Sequence, residues 1–248
     1  MNTKIIILAA GKGKRMASEL PKVLLRVGGV PMITRLLDAV HEAKITEQPI
    51  VVIGHGLDYV CAEIGDRAMC VMQHEQLGTG HAVQVAKESL RGADQIVVLY
   101  GDHPFVSPSV IHDVISLREQ TKATIAMMTT TVPDFEDWRR VFITFAKIIR
   151  DDRGGIIGIR EYKDCTPEEK EILEINPGFY CFDGSWLLEH IDKIGNENVQ
   201  GEFYLTDLIK TAFDEKKKIA TLPIPPEEAV GVNSREELEI ANQLAKEI

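Results

Sequence analysis

Three short runs, Ile5–Ala10, Ile50–Ile53 and Ile96–Tyr100, are apolar at every position. Strand side chains alternate between faces, so a run apolar throughout is a strand covered on both sides. Between these runs, Met32–Ala43 spaces Ile33, Leu36, Leu37 and Val40 as one face of a helix, and His81–Leu90 has a similar pattern. Strand, helix, strand, helix in this rhythm predicts an α/β fold, a Rossmann-like doubly wound sheet. After Thr131 the regularity fades. A loop leads into strands around a turn at Asp152–Gly155, then a short helix behind Thr166, a strand over "NPGFYCF" and a helix over Asp183–Ile191. Ser234 and Glu237 make an S-x-x-E pattern that opens a last amphipathic helix. The expected organisation is one domain over 1–248. A nucleotide-binding half, about 1–130, shares a sheet with a half, about 131–233, that shapes a second pocket, and the helix fills about 234–248.

Composition narrows the class. At 248 residues and 44% hydrophobic, the chain can bury a full core. A formal charge of −10 excludes nonspecific nucleic-acid binding, which needs a basic footprint. No apolar run approaches the ~20 residues that span a bilayer. Ile5–Ala10 falls just short of the roughly seven apolar residues of the shortest signal-peptide core. A soluble cytoplasmic protein with no membrane partner is expected. Cys61, Cys70, Cys165 and Cys181 have neither zinc nor redox spacing and read as free thiols. His74, His81 and His103 sit at expected strand ends and read as polar pocket lining rather than soft-metal ligands.

The chemistry begins at "LAAGKGKRM", residues 8–16. Ligands of open α/β sheets bind beyond the carboxyl ends of the strands, where a glycine turn exposes N–H groups to phosphate. Lys12, Lys14, Arg15, Lys22 and Arg26 crowd this region, opposed only by Glu19. The dinucleotide fingerprint fails at Met16, and the G-K-S/T of the P-loop is absent, so the loop alone names no nucleotide.

The longer stretch does. "LAAGKGKRMASELPKVLLRVGGVPMI" resembles the signature of sugar-phosphate nucleotidyltransferases, an L-A-A-G-x-G-x-R-M loop followed by P-K. "QLGTGHAV" (76–83), "LYGDHPF" (99–105), "INPGFY" (175–180), "GEFYLTDLI" (201–209) and "GVNSREEL" (231–238) follow in order, nearly end to end. Together they look most like the uridylyltransferase (pyrophosphorylase) domain of bifunctional N-acetylglucosamine-1-phosphate uridylyltransferases. The resemblance implies a mixed, mostly parallel nucleotide-diphospho-sugar transferase sheet, with 131–233 as the sugar-binding half. It implies UTP and a sugar 1-phosphate as partners, Mg²⁺ as cofactor, and a role in nucleotide-sugar supply for cell-wall precursors.

By the same resemblance, the backbone of Leu8, Ala9, Ala10 and Gly11 hugs the nucleotide, and Arg15 and Lys22 contact phosphates and act in catalysis. Gln73, Gly78 and Thr79 hold the base, with Tyr100, Gly101 and Asp102 alongside. Asp102 and Asn233 hold Mg²⁺, while Ala146, Glu161, Asn176 and Asn233 border the sugar. These residue types suit the task. Attack on an anionic phosphorus needs positioning and fixed positive charge, oxygen donors suit magnesium, and carboxylate and amide groups suit hydroxyls and an acetamide. Lys12 and Lys14 read equally well as solvated surface charge.

Three departures surround the sugar region. "FAKII" (145–149) puts Ala146 and Lys147 where the family has glycine and arginine, and a methyl at 146 stands where a ligand could otherwise meet bare backbone. "DFEDWRRVFIT" (134–144) is longer than the family's loop, and the Asp151–Gly155 turn is one residue longer. The choice of sugar is therefore open. Glucose 1-phosphate uridylyl or thymidylyl transfer, cytidylyl transfer to a phosphorylated alcohol, and a silent sugar-nucleotide sensor are the alternatives. The family's left-handed β-helix repeats are absent, so no acetyltransferase activity is expected.

Overall fold

Ile5, Ile7 and Ala9 enter one apolar cluster and Ile6, Leu8 and Ala10 enter another. This is the two-sided burial that the continuous run predicted. The structure, a computed structural model, describes residues 1–11, 13–16 and 18–247. The readings placed on Lys12 and on the Lys14 side chain fall outside what it describes.

Strand β1 (Thr3–Ala9) lies between β4 (Ile50–Ile53) and β6 (Gln95–Tyr100), parallel to both, with β5 (Met69–Met72) outside β4. The chain thus builds outward from β1 in one direction and returns to its other side, which puts a topological switch at the ends of β1 and β6. Beyond β6 come β11 (Tyr180–Asp183), antiparallel, and then β7 (Ile125–Thr131). On β7 the sheet forks. The first half of β7 pairs with β11 and, in parallel, with β12 (Ile219–Pro223); its end pairs with β10 (Glu174–Ile175). From β10 the sheet continues through β8 (Lys147–Arg150) to β9 (Ile156–Arg160). Seven of the ten strands in this sheet share one direction, giving a mixed, mostly parallel sheet. A separate hairpin joins β2 (Arg26–Val27) to β3 (Val30–Pro31).

One face carries the helices Met32–Glu42, Leu57–Ile64, Pro108–Thr121 and Arg235–Leu244, whose apolar stripes join the cluster of Ile5 and Ile7. The other carries Thr79–Val85, Gly184–His190 and Asp207–Asp214. Each fully buried Ile, Leu or Val side chain contributes about 1.5–3 kcal/mol. Among the described residues no helix is long and apolar enough to cross a membrane.

Two local expectations change. His81–Leu90 is not one helix: Thr79–Val85 and Lys87–Leu90 meet at Ala86, whose backbone (φ −90°, ψ 0°) leaves the helical path. The strand over "NPGFYCF" begins only at Tyr180. Pro177 has no N–H for a ladder and Gly178 turns left-handed (φ +87°), so four residues, Asn176 to Phe179, bulge across the two of β7 between the paired positions 127 and 130. That bulge is the crotch of the fork.

The departures at 134–147 form one packed unit. Lys147 on β8 is fully buried and its Nζ has no hydrogen-bond partner among the described residues. The Phe135 ring lies 4.1 Å from it and Tyr162 6.0 Å. Burial pulls the Lys147 pKa down to about 8, against weaker support from Cys165 and Glu171. The charged ammonium therefore opposes folding below pH 8, and this opposition fades as pH rises towards the unfolded value near 10.5. Lys147→Met should accordingly be more favourable at pH 7 than at pH 10.5, by about 1–3 kcal/mol in urea unfolding. An equal effect at both pH values would show that the ammonium is not desolvated.

Candidate active site

The end of β1 and the loop after β6 are laced together. Gly101 N–H donates to the Leu8 carbonyl at 2.9 Å, and a Cβ on Gly101 would stand 3.1 Å from the Ala9 methyl and 3.2 Å from Val23. Leu8, Ala9 and Ala10 are buried, so they offer backbone rather than side chain, while Gly11 is exposed.

From this junction Asp102 projects into a cleft of about 230 Å³. Its Oδ2 accepts from the Lys22 ammonium and its Oδ1 faces His103 Nδ1 at 3.0 Å. Burial by itself would raise the Asp102 pKa, but the Lys22 charge and then His103 outweigh it and hold the carboxyl well below the usual range. The same Lys22 Nζ donates to Asn233 Oδ1 at 2.7 Å. Asn233 is fixed from behind: its N–H donates to Glu237 Oε2 at 2.5 Å, and the Val232 N–H donates to the Asp102 carbonyl at 2.9 Å. Ser234 caps the last helix by accepting from Glu237 N–H at 3.2 Å. The S-x-x-E pattern is therefore used differently from a standard capping box, since the Glu237 carboxylate reaches back one residue further and anchors Asn233.

Two side-chain oxygens, from Asp102 and Asn233, thus converge on one cationic point. Hard oxygen donors of this kind suit Mg²⁺, and among the described residues no group of three or more His, Cys, Asp or Glu forms an all-protein cage. A site with two protein oxygens and the rest from phosphate and water is magnesium's ordinary habit.

Around the same cleft stand Arg15, Thr79, Tyr100, Ala146, Glu161 and Asn176, with Thr144, Phe145, Pro177, Gly178 and Thr206. Gly178 is required there because a Cβ would come within 2.5 Å of the Tyr100 ring. Asn176 structures the fork: its Nδ2 donates to the Tyr180 hydroxyl at 2.5 Å and its Oδ1 accepts from Gly178 N–H at 3.1 Å. The Ala146 carbonyl accepts from Asn176 N–H at 2.9 Å, which joins the two departing segments of the wall. Glu161 Oε1 accepts from the Thr206 hydroxyl at 2.9 Å. Burial pushes the Glu161 pKa up to about 7; Thr206 opposes this, and Asp207, Asp164 and Glu202 add to it.

Gln73 and Gly78 lie behind the wall rather than on it. Gln73 Nε2 points at the Gly78 carbonyl (3.2 Å) and His81 Nδ1 (2.9 Å), and a carbonyl can only accept, so the amide orientation is set. Both Nε2 hydrogens are used, so Oε1 is the amide's open acceptor among the described residues. Gly78 has φ +121°, and a Cβ there would meet the Phe203 carbonyl at 2.5 Å; this packing seats the start of the Thr79–Val85 helix.

Of the candidates named from sequence, Arg15, Thr79, Tyr100, Asp102, Ala146, Glu161, Asn176 and Asn233 line the cleft, with Lys22 bonded to two of them. Leu8, Ala9, Ala10, Gly11, Gln73, Gly78 and Gly101 flank it. From sequence His103 reads only as pocket lining, and its place beside Asp102 is the one signal of a closer role. Thr206 and Glu237 carry no such mark, because a hydroxyl in "YLTDL" and a carboxylate in a helix start are commonplace.

Comparison with known proteins places the chain in a family. Residues 5–148 match the MobA-like NTP transferase domain. The chain is 40% identical over 247 residues to the bifunctional protein GlmU of Clostridioides difficile, covering 99% of this chain and 52% of that protein. For the GlmU of Clostridium novyi the values are 39% over 248 residues, 99% and 53%. The chain thus spans about half the length of these curated relatives. Two solved structures share the fold. One is a protein assigned as a glucose-1-phosphate thymidylyltransferase from Bacillus anthracis, with TM-score 0.78 and 22% identity, covering 99% of this chain and 96% of that one. The other is a UDP-glucose pyrophosphorylase complexed with UDP-glucose, with TM-score 0.76, 19% identity and full coverage of both chains. With this domain match over more than half its length and 40% identity to a GlmU across 99% of it, the chain belongs to the MobA-like NTP transferase family.

Proposed function

We propose that this chain transfers UMP from UTP to N-acetylglucosamine 1-phosphate, or a closely related sugar 1-phosphate, with release of pyrophosphate. The observation that carries the reading is the convergence of Lys22, Asp102 and Asn233 in a cleft whose rim holds Arg15 and whose far wall holds Glu161 and Asn176. Charged groups for phosphates stand beside polar groups for a sugar.

Backbone N–H groups beyond β1 and the Arg15 fork meet the triphosphate, and the Lys22 ammonium supplies a point charge beside it. Mg²⁺, held by Asp102 and Asn233, would screen the repulsion between the two phosphates and align them. The attacking phosphate oxygen is already ionised, so no side chain need act as base; the residues position charge. Gln73 Oε1 is an acceptor, which suits the N3–H of uracil. Thymine offers the same N3–H, whereas cytosine presents an acceptor there, so the base reading favours UTP or dTTP over CTP. The GlmU relatives favour UTP.

Pyrophosphate release should be measured with UTP, dTTP and CTP crossed against N-acetylglucosamine 1-phosphate, glucose 1-phosphate and phosphocholine. Release with UTP and the N-acetylated sugar is expected. Release with another sugar would reassign the substrate, and silence across the panel while UTP binds would favour a sensor. Asp102→Asn should lower turnover by about 10³-fold with unchanged far-UV circular dichroism; full activity would overturn the metal assignment.

Glu161 gives a pH test. Its carboxyl is held neutral to about pH 7 in the fold but ionises near 4.5 when unfolded, so the native state loses stability as pH rises between those values. Glu161→Gln should therefore leave stability unchanged at pH 4 and raise it by about 1–2 kcal/mol at pH 8, while raising KM for the sugar phosphate about tenfold. A stability gain of equal size at both pH values would contradict the burial of this carboxylate.

A further inference from the structure

Asp102 has two oxygens, and only one is accounted for by Lys22. The other is occupied by His103 Nδ1 at 3.0 Å, and an ionised carboxylate can only accept, so Nδ1 carries the proton. His103 is 5% exposed, and its Nε2 has no hydrogen-bond partner among the described residues. Packing therefore holds the ring from its other side. The Phe179 ring meets it edge-on at 5.1 Å and Phe145 at 6.0 Å, with Tyr100 also at 6.0 Å. Gly231 closes the last side: a Cβ there would stand 2.8 Å from Nε2. The ring has no room to turn.

Phe145 in turn packs edge-on against Phe142 at 5.3 Å, and Phe142 against Trp138 at 5.9 Å. A continuous aromatic row thus runs from the 3-10 turn Asp137–Phe142 to the imidazole and ends at Asp102 Oδ1. Its first members belong to the segment that departs from the family pattern.

We propose that His103 is a positioning residue, aiming the Asp102 carboxylate at the cation site, and that the 138–145 segment sets its aim through Phe145. This rests on the nucleotidyl-transfer reading for its kinetic consequence but not for its geometry. Outer partners of metal-binding carboxylates typically govern affinity by about 10–100-fold. A packed row with one rigid arrangement can carry such an effect.

The test combines metal titration with rescue. His103→Leu keeps the bulk but removes the donor, and should raise the free Mg²⁺ concentration for half-maximal rate by about tenfold, with KM for the sugar phosphate changed far less. His103→Asn restores an N–H close to the Nδ1 position and should return that constant to within about threefold of the parent. Phe145→Leu keeps the histidine and should shift the constant in the same direction, less than additively with His103→Leu. Mn²⁺ binding to substrate-free protein, followed by electron paramagnetic resonance, should weaken in the same order without any turnover. Imidazole ¹⁵N spectra should show the Nδ1–H tautomer in the parent and its loss of fixed character in Phe145→Leu.

An unchanged Mg²⁺ constant in folded, active His103→Leu would overturn the proposal while leaving nucleotidyl transfer intact. A parent protein silent with every substrate pair, yet showing the ordered loss of Mn²⁺ binding, would reject the substrate reading and keep the role of His103. If His103→Leu does not fold, Phe145→Leu and His103→Asn decide the matter: the first must weaken Mn²⁺ binding and the second must not.

Discussion

A carboxylate that stays ionised when withdrawn from water needs compensating charge beside it, and the site is organised around meeting that need at Asp102. Removing an ion from water costs several kcal/mol unless opposite charge and hydrogen bonds replace the lost hydration. Lys22, eighty residues earlier in the chain, supplies the charge; His103 supplies a hydrogen bond; Asn233 shares the lysine from the far end of the sequence. The bond from Val232 N–H to the Asp102 carbonyl and the anchoring of Asn233 by Glu237 follow from the same requirement. The ion pair thus keeps two side-chain oxygens and one ammonium gathered at a single point.

The second constraint is the fork on β7. A sheet that stayed closed would leave no cleft beside Asp102. The four-residue bulge from Asn176 to Phe179 separates β10 from β11 and lets β8 and β9 fan away, so the cleft opens between the two branches. The bulge stays rigid because Asn176 bonds both to Gly178 and to Tyr180, and because Gly178 rests on the Tyr100 ring. Backbone pairing therefore decides where the pocket is, and side chains decide what it holds.

What could be read in the sequence follows from which signals are local. The buried parallel strands β1, β4 and β6 announced themselves because each is apolar on both faces, and the end of β1 carried its glycine loop in plain view. The forked half was harder. Its strands β8 to β10 are short and partly polar, and "NPGFYCF" conceals the point where loop becomes strand. Ordered motifs brought most of the cleft residues together, since motif order survives where periodicity is weak. The orientation of Gln73 was not legible, because it depends on the Gly78 carbonyl and His81. Thr206 and the aromatic row could not be read, because their meaning lies in contacts between segments far apart in the chain.

The departures from the family pattern make sense as one packing solution. An arginine at 147 would bring five N–H donors into a region with few acceptors, whereas a lysine ammonium is compact enough to rest against the Phe135 and Tyr162 rings. Phe135 comes from the long loop, so the loop and the lysine meet directly. The loop then continues through Trp138 and Phe142 to Phe145, which lines the cleft and props His103. Ala146 follows in the wall, where its carbonyl receives Asn176 and its methyl occupies space that a glycine would leave open. One continuous set of contacts in this way links the loop both to the cleft wall at Ala146 and to the Asp102 carboxylate.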